Sequence, residues 1–138
     1  MRGAQRAKFA AFLAAGVLAI PAGVVVGTAG TAYAATPTCN NWKLYSNAWV
    51  PYYTGTDTVN CNMVQGTNSS GVWQLQRTLN ICYGENLATD WDFGPGTKAA
   101  LIRAQKKAGT TADGEYGPNT RKAIKHEPSG GGACVRVP

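Results

Sequence analysis

Asp113-Gly114-Glu115-Tyr116-Gly117-Pro118-Asn119-Thr120-Arg121-Lys122-Ala123-Ile124 has a near copy upstream, Asp90-Trp91-Asp92-Phe93-Gly94-Pro95-Gly96-Thr97-Lys98-Ala99-Ala100-Leu101. Set in register at an offset of 23 residues, the copies share Asp, Gly, Pro, Thr and Ala. They exchange like for like at Asp92/Glu115, Phe93/Tyr116, Lys98/Arg121 and Leu101/Ile124. An interval of that size fits one small supersecondary unit used twice. The leading Asp, followed in the second copy by Gly, forms a turn because its side chain bonds nearby backbone and Gly accepts positive φ. Phe93 or Tyr116 supplies a large apolar group suited to anchoring the loop in a core. Gly-Pro then marks a helix start, since proline at the first helical position forfeits no hydrogen bond and has its φ preset. Thr97 and Thr120 follow two residues later, where their hydroxyls are expected to satisfy first-turn amides.

Working outward, the first copy opens a helix from Pro95 to about Ala108. Leu101, Ala104, Gln105 and Ala108 form its inward stripe, with Lys98, Arg103, Lys106 and Lys107 pointing away. The second copy opens a shorter helix, Pro118 to about Lys125, with Ala123 and Ile124 inward and Arg121, Lys122 and Lys125 outward. Upstream, Val72, Leu75 and Leu79 recur at helical spacing within Gly71–Asn80, after a polar loop that ends in N-cap residues. Gly84 suits the left-handed stop of this first helix. Thr36–Asn60 has another texture: Trp42, Tyr45, Trp49, Tyr52 and Tyr53 stand among Asn, Thr, Ser and Gly. Val50–Val59 reads as short extended pieces around a turn. The aromatics either cover one side of the domain or offer a stacking platform for sugar rings.

Residues 1–34 read as a signal peptide. Arg2, Arg6 and Lys8 precede the apolar run Phe9–Ile20, and Ala32-Tyr33-Ala34 provides an A-x-A cleavage site. The run is shorter than a spanning helix needs, so no stable membrane anchor is expected once it is cleaved. Ala35–Pro138 then carries a formal net charge of +3, against +6 for the whole chain. Four cysteines remain, Cys39, Cys61, Cys82 and Cys134, an even number that reads in an exported chain as two disulfides. Of three possible pairings we favour Cys39–Cys61 with Cys82–Cys134, which separates the amino-terminal segment from the duplicated region. Zinc is not expected, because no C-x-x-C occurs and His126 is the only histidine.

Gly71-Val72, Leu75-Gln76 and Leu79-Asn80, followed by two D-x-x-[FY]-G-P-x-T segments, resemble the peptidoglycan-binding domain 1 family over about Met63–Glu127. By position, Leu75-Gln76 match the family's Leu-Gln on helix one and Ala104-Gln105 its Phe-Gln on helix two. Asp113-Gly114, Tyr116-Gly117 and Thr120 match its second turn, aromatic-glycine pair and helix-starting threonine. Ala104 departs from the usual large aromatic, Trp91 from the glycine of the first turn, and Thr110 from a leucine. The resemblance implies a three-helix module of the kind appended to secreted cell-wall hydrolases, with peptidoglycan as its ligand.

The chemistry of the remaining residues points to binding rather than catalysis. No G-x-S-x-G, H-E-x-x-H or phosphate-cradling glycine loop is present, and the acids Asp90, Asp92, Asp113 and Glu115 are accounted for as turn residues and their neighbours. No cofactor or metal is expected. Arg103, Lys106, Lys107, Arg121, Lys122 and Lys125 are either a solvated surface or a positive face for an anionic wall polymer. Nucleic acid is not an expected partner of an exported chain.

These readings give a mainly α fold: a compact three-helix domain (63–127), an aromatic-rich irregular or extended segment (35–62) and a glycine-rich tail (128–138) pinned by Cys134, stabilised by disulfides. The structural motif comprises Leu75, Gln76, Asp90, Phe93, Gly94, Thr97, Gln105, Asp113, Gly114, Gly117 and Thr120. The expected function is non-catalytic peptidoglycan binding outside the cell or at its wall. The proposed groove lies beside the two turns, with Tyr83, Trp91 and Tyr116 offering ring faces and Arg77, Arg103 and Arg121 taking carboxylates. A secreted interaction or structural protein that keeps the scaffold without wall binding is the alternative.

Overall fold

A computed structural model describes residues 35–138, so the signal-peptide reading lies outside the described residues. The elements run β1 (Asn41–Tyr45), β2 (Ala48–Tyr52), α1 (Ser70–Tyr83), α2 (Pro95–Ala108) and α3 (Pro118–Ala123). The mainly α class expected from the sequence is therefore corrected: helix covers about a third of the described residues and a two-stranded antiparallel sheet accompanies it. The extended pieces expected around a turn in Val50–Val59 are present, Tyr53 and Thr58 exchanging backbone hydrogen bonds of 2.8 and 3.1 Å, and a hairpin precedes them. β1 pairs with β2 from Asn41↔Tyr52 to Tyr45↔Ala48. Ser46 and Asn47 close the hairpin at φ 49° and 63°, the two positive values that a tight turn matched to strand twist requires.

The helices begin and end by local rules. Ser69 caps α1, its hydroxyl accepting from the Val72 amide at 3.3 Å, and Gly84 stops it with an N–H to the Leu79 carbonyl. Pro95 and Pro118 occupy the first position of α2 and α3. Neither helix has a side-chain cap at its N-terminus, so the capping role expected of Thr97 and Thr120 is corrected. α3 is shorter than expected because Ile124 is extended (φ −80°, ψ 158°). Beyond it, His126 and Val135 exchange backbone hydrogen bonds of 2.7 and 3.1 Å, which draw the chain out of helical geometry.

The main core joins Val72, Leu75 and Leu79 of α1 to Ala100, Leu101 and Ala104 of α2, with Met63, Phe93, Tyr116, Ile124 and the Cys39–Cys61 bridge. Burying a leucine or phenylalanine of this set contributes roughly 2 kcal/mol. A second cluster, Ala48, Val50 and Val137, seats the tail against the hairpin. The amino end of α1 lies so close to the hairpin that a Cβ on Gly71 would sit 3.1 Å from the Cys39 carbonyl oxygen. Cys39–Cys61 and Cys82–Cys134 are bridged across 22 and 52 residues, worth about 3 and 4 kcal/mol by chain entropy.

Candidate functional site

Each turn device is held by a buried glutamine from the preceding helix. Gln76 Nε2 donates to Asp90 Oδ1 (2.9 Å), the Asp92 carbonyl (2.9 Å) and Thr97 Oγ1 (3.1 Å), while its Oε1 accepts from the Asp90 amide (3.1 Å). Gln105 repeats this on Asp113 Oδ1 (2.9 Å), the Glu115 carbonyl (3.0 Å) and Thr120 Oγ1 (3.0 Å), with Oε1 accepting from Gly114 N (2.9 Å). Asp90 and Asp113 also accept from the amides two residues on. The Gln76 hydrogen bond, first among several, holds Asp90 below the usual carboxylate range. The threonine hydroxyls thus serve the glutamines, and the turn aspartates are acceptors in a network rather than free acids.

The aromatic of each device is buried. Phe93 exchanges backbone bonds with the Gly66–Thr67 loop, and Tyr116 with Met63. Tyr116 is fully buried and its hydroxyl raised in pKa, first by desolvation; no ring face is left for a ligand, which corrects its placement in the expected groove. Arg121 is likewise corrected. It is 2% exposed, bonded to the Pro138 carbonyl and to Asn60 Oδ1 (3.3 Å), with its guanidinium 5.5 Å from the Tyr45 ring centre.

The other expected residues do not converge. Arg103 is paired bidentately with Glu85 at 2.8 and 2.6 Å, and that bond lowers the Glu85 pKa. Arg77 is paired with Glu127 at 3.2 and 2.5 Å. Trp91 is 49% exposed and sits at φ 64°. The clefts beside the turns are lined by Asp90 and Asp92 in one case and Asp113 and Glu115 in the other, the wrong sign for an anionic polymer.

Tyr83 marks a different place. A cleft of about 270 Å³ is lined by Cys82, Tyr83, Lys107, Ala108, Lys125 and Arg136. It lies where α1 and α2 end and the tail returns. The Tyr83 hydroxyl accepts from the Lys125 amide at 2.8 Å, and Arg136 Nε donates to the Ala123 carbonyl at 2.8 Å. Desolvation is the largest cause of the raised Tyr83 pKa. Among the described residues none of the three cations is in a salt bridge. Such a cleft attracts carboxylates and phosphates, with one ring edge beside them. Lys107 and Lys125 belong to the basic face read from the sequence. Arg136 was missed; its only signal is Cys134, two residues earlier.

Glutamine-pinned turns and a cationic cleft thus sit on a disulfide-tied frame of three helices and a hairpin. Residues 68–124 match the family described as "Putative peptidoglycan binding domain". Over 63 residues the chain is 41% identical to a protein of Bacillus licheniformis named "Probable N-acetylmuramoyl-L-alanine amidase". The similar region covers 44% of this chain and 18% of that relative, so the chain spans under a fifth of its length.

Proposed function

We propose that this is a secreted protein, acting outside the cell or at its wall, that attaches to peptidoglycan without catalysis of its own. The cationic cleft of Lys107, Lys125 and Arg136 takes anionic groups of the polymer, carboxylates of its stem peptides first among them. The observation that carries the reading is three cations free of salt bridges among the described residues, gathered around Tyr83 at the edge of a domain of the peptidoglycan-binding family. The two disulfides favour an oxidising compartment. The engagement of Asp90 and Asp113 by glutamine supports a structural rather than a chemical role for these acids.

Sedimentation with purified insoluble peptidoglycan tests the proposal. The chain is expected in the pellet at modest salt, with retention falling as salt screens the contact. Lys107→Glu combined with Lys125→Glu is expected to release most of it. Failure of the unaltered chain to sediment overturns the binding reading, and clearing of the wall suspension overturns the non-catalytic one.

A further inference from the structure

The hairpin and α1 meet at a corner of three tryptophans. Trp42 of β1 stands perpendicular to Trp49 of β2, ring centres 5.1 Å apart, and is tilted 32° from Trp73 of α1 at 5.9 Å. With Gln74, Arg77 and Glu127 they line a cleft of about 320 Å³. Trp42, Trp49 and Glu127 lie outside residues 68–124, so the family match does not account for the corner.

Its polar edge is held in place. The Glu127 carboxylate accepts from Gln74 Nε2 (3.0 Å), Arg77 Nε (3.2 Å) and Arg77 Nη2 (2.5 Å). The Glu127 carbonyl accepts from the Trp49 amide at 2.9 Å, which fixes the acid to β2. The Arg77 guanidinium lies 5.0 Å from the centre of the Trp73 ring. Gln74 is 2% exposed, so the amide that orients Glu127 is itself locked in the fold.

The charges select the ligand. A cation meets Arg77 already over Trp73, and an anion meets Glu127; the pair leaves the cleft neutral. A wholly apolar ligand would strip water from both charges and return no hydrogen bond. A sugar ring satisfies both parts, laying its C–H face on an indole while its hydroxyls reach the carboxylate and the guanidinium. We propose that the Trp42–Trp49–Trp73 corner is a saccharide-binding site, in which a neutral sugar ring stacks on tryptophan and is hydrogen-bonded by Arg77 and Glu127. It goes beyond the cationic cleft, and rests on the wall-binding reading only for which polymer supplies the sugar: a glycan strand here, its peptide acids there.

Tryptophan fluorescence of the disulfide-intact chain, titrated with a β-1,4-linked N-acetylglucosamine tetramer, tests it. A saturable change that survives raised salt is expected. Trp42→Ala and Trp49→Ala should each weaken binding about tenfold or more, and Trp91→Ala should leave it unchanged. Where an alanine variant does not fold, Glu127→Gln and Trp42→Phe take its place, the first weakening binding and the second largely preserving it. No saturable response to the tetramer overturns the site, as does a response to tetramethylammonium chloride alone or equal loss in Trp91→Ala. Sedimentation separates the two readings: retention on the wall without tetramer binding sinks the corner alone, and tetramer binding without retention sinks wall attachment alone.

Discussion

The two turn devices share their aspartate, carbonyl and threonine bonds to glutamine, but the amide from which the glutamine Oε1 accepts is Asp90 N in the first and Gly114 N, one position on, in the second, and the residue at that second position differs. Gly114 in the second copy and Trp91 in the first both adopt left-handed backbone, at φ 72° and 64°. A Cβ on Gly114 would lie 2.6 Å from Lys98 Cγ and 3.1 Å from Ile102 Cγ1, so α2 roofs that turn. Trp91 faces solvent. The glutamine network fixes the backbone in both copies; only the second also forbids a side chain. In the first copy the network holds a bulky residue in a conformation that costs on the order of 1–3 kcal/mol.

The largest test of this contrast is Gly114→Trp. Placing the residue of copy one into copy two adds both backbone strain and collision with the Lys98 stem, and should destabilise the fold by about 4 kcal/mol or more in urea unfolding. A loss below about 1 kcal/mol would show that α2 does not roof the turn.

Acid probes the second copy through its aromatic. Tyr116 packs edge-on to His126, which is fully buried, with ring centres 6.4 Å apart. Burial first, then the Arg121 charge, pushes the His126 pKa down to about 4, against an opposing hydrogen bond to the Arg121 carbonyl. The folded value is below the unfolded one of about 6.5, so the unfolded chain binds the extra proton. This contribution is present above pH ~6.5 and is lost as pH falls to ~4, amounting to roughly 3 kcal/mol. His126→Phe should flatten that part of a stability-versus-pH curve; an unchanged slope would refute the assignment.

The smallest effect comes from the reverse exchange. Trp91→Gly relieves strain at an exposed site and should stabilise the fold by about 1 kcal/mol, less the entropy glycine adds to the unfolded chain. Thermal unfolding at neutral pH would register a rise in Tm, and a fall would mean that the Trp91 ring contributes packing that outweighs the strain.

Helices were legible because their punctuation is local: Pro95, Pro118, Gly84 and Gly109 each act within a turn of themselves. The hairpin was not. β1 carries Asn41 and Lys43 beside its aromatics, β2 contains Pro51, and the decisive feature, Ser46-Asn47 at positive φ, is a weak signal in sequence. The glutamine network also escaped, for a geometric reason. Gln76 precedes its aspartate by 14 residues and Gln105 by 8, so a constant offset between the turns does not bring the glutamines into register. Arg121 was read as outward because it is charged. Its partners, Tyr45, Asn60 and Pro138, come from distant parts of the chain that no local pattern connects. The candidate site suffered most: the cationic cleft and the tryptophan corner are both assembled from separate segments.

The Cys82–Cys134 bridge has a consequence for timing. Cys82 forms part of the cationic cleft and Cys134 brings in the tail that carries Arg136. In a thiol-reducing compartment the third cation is tethered only by non-covalent contacts, among them the Arg136 bond to Ala123. Oxidation fastens it. The covalent step that hardens the fold is also the step that secures the third cation of the cleft, so Arg136 is fixed beside Lys107 and Lys125 once the two thiols are oxidised.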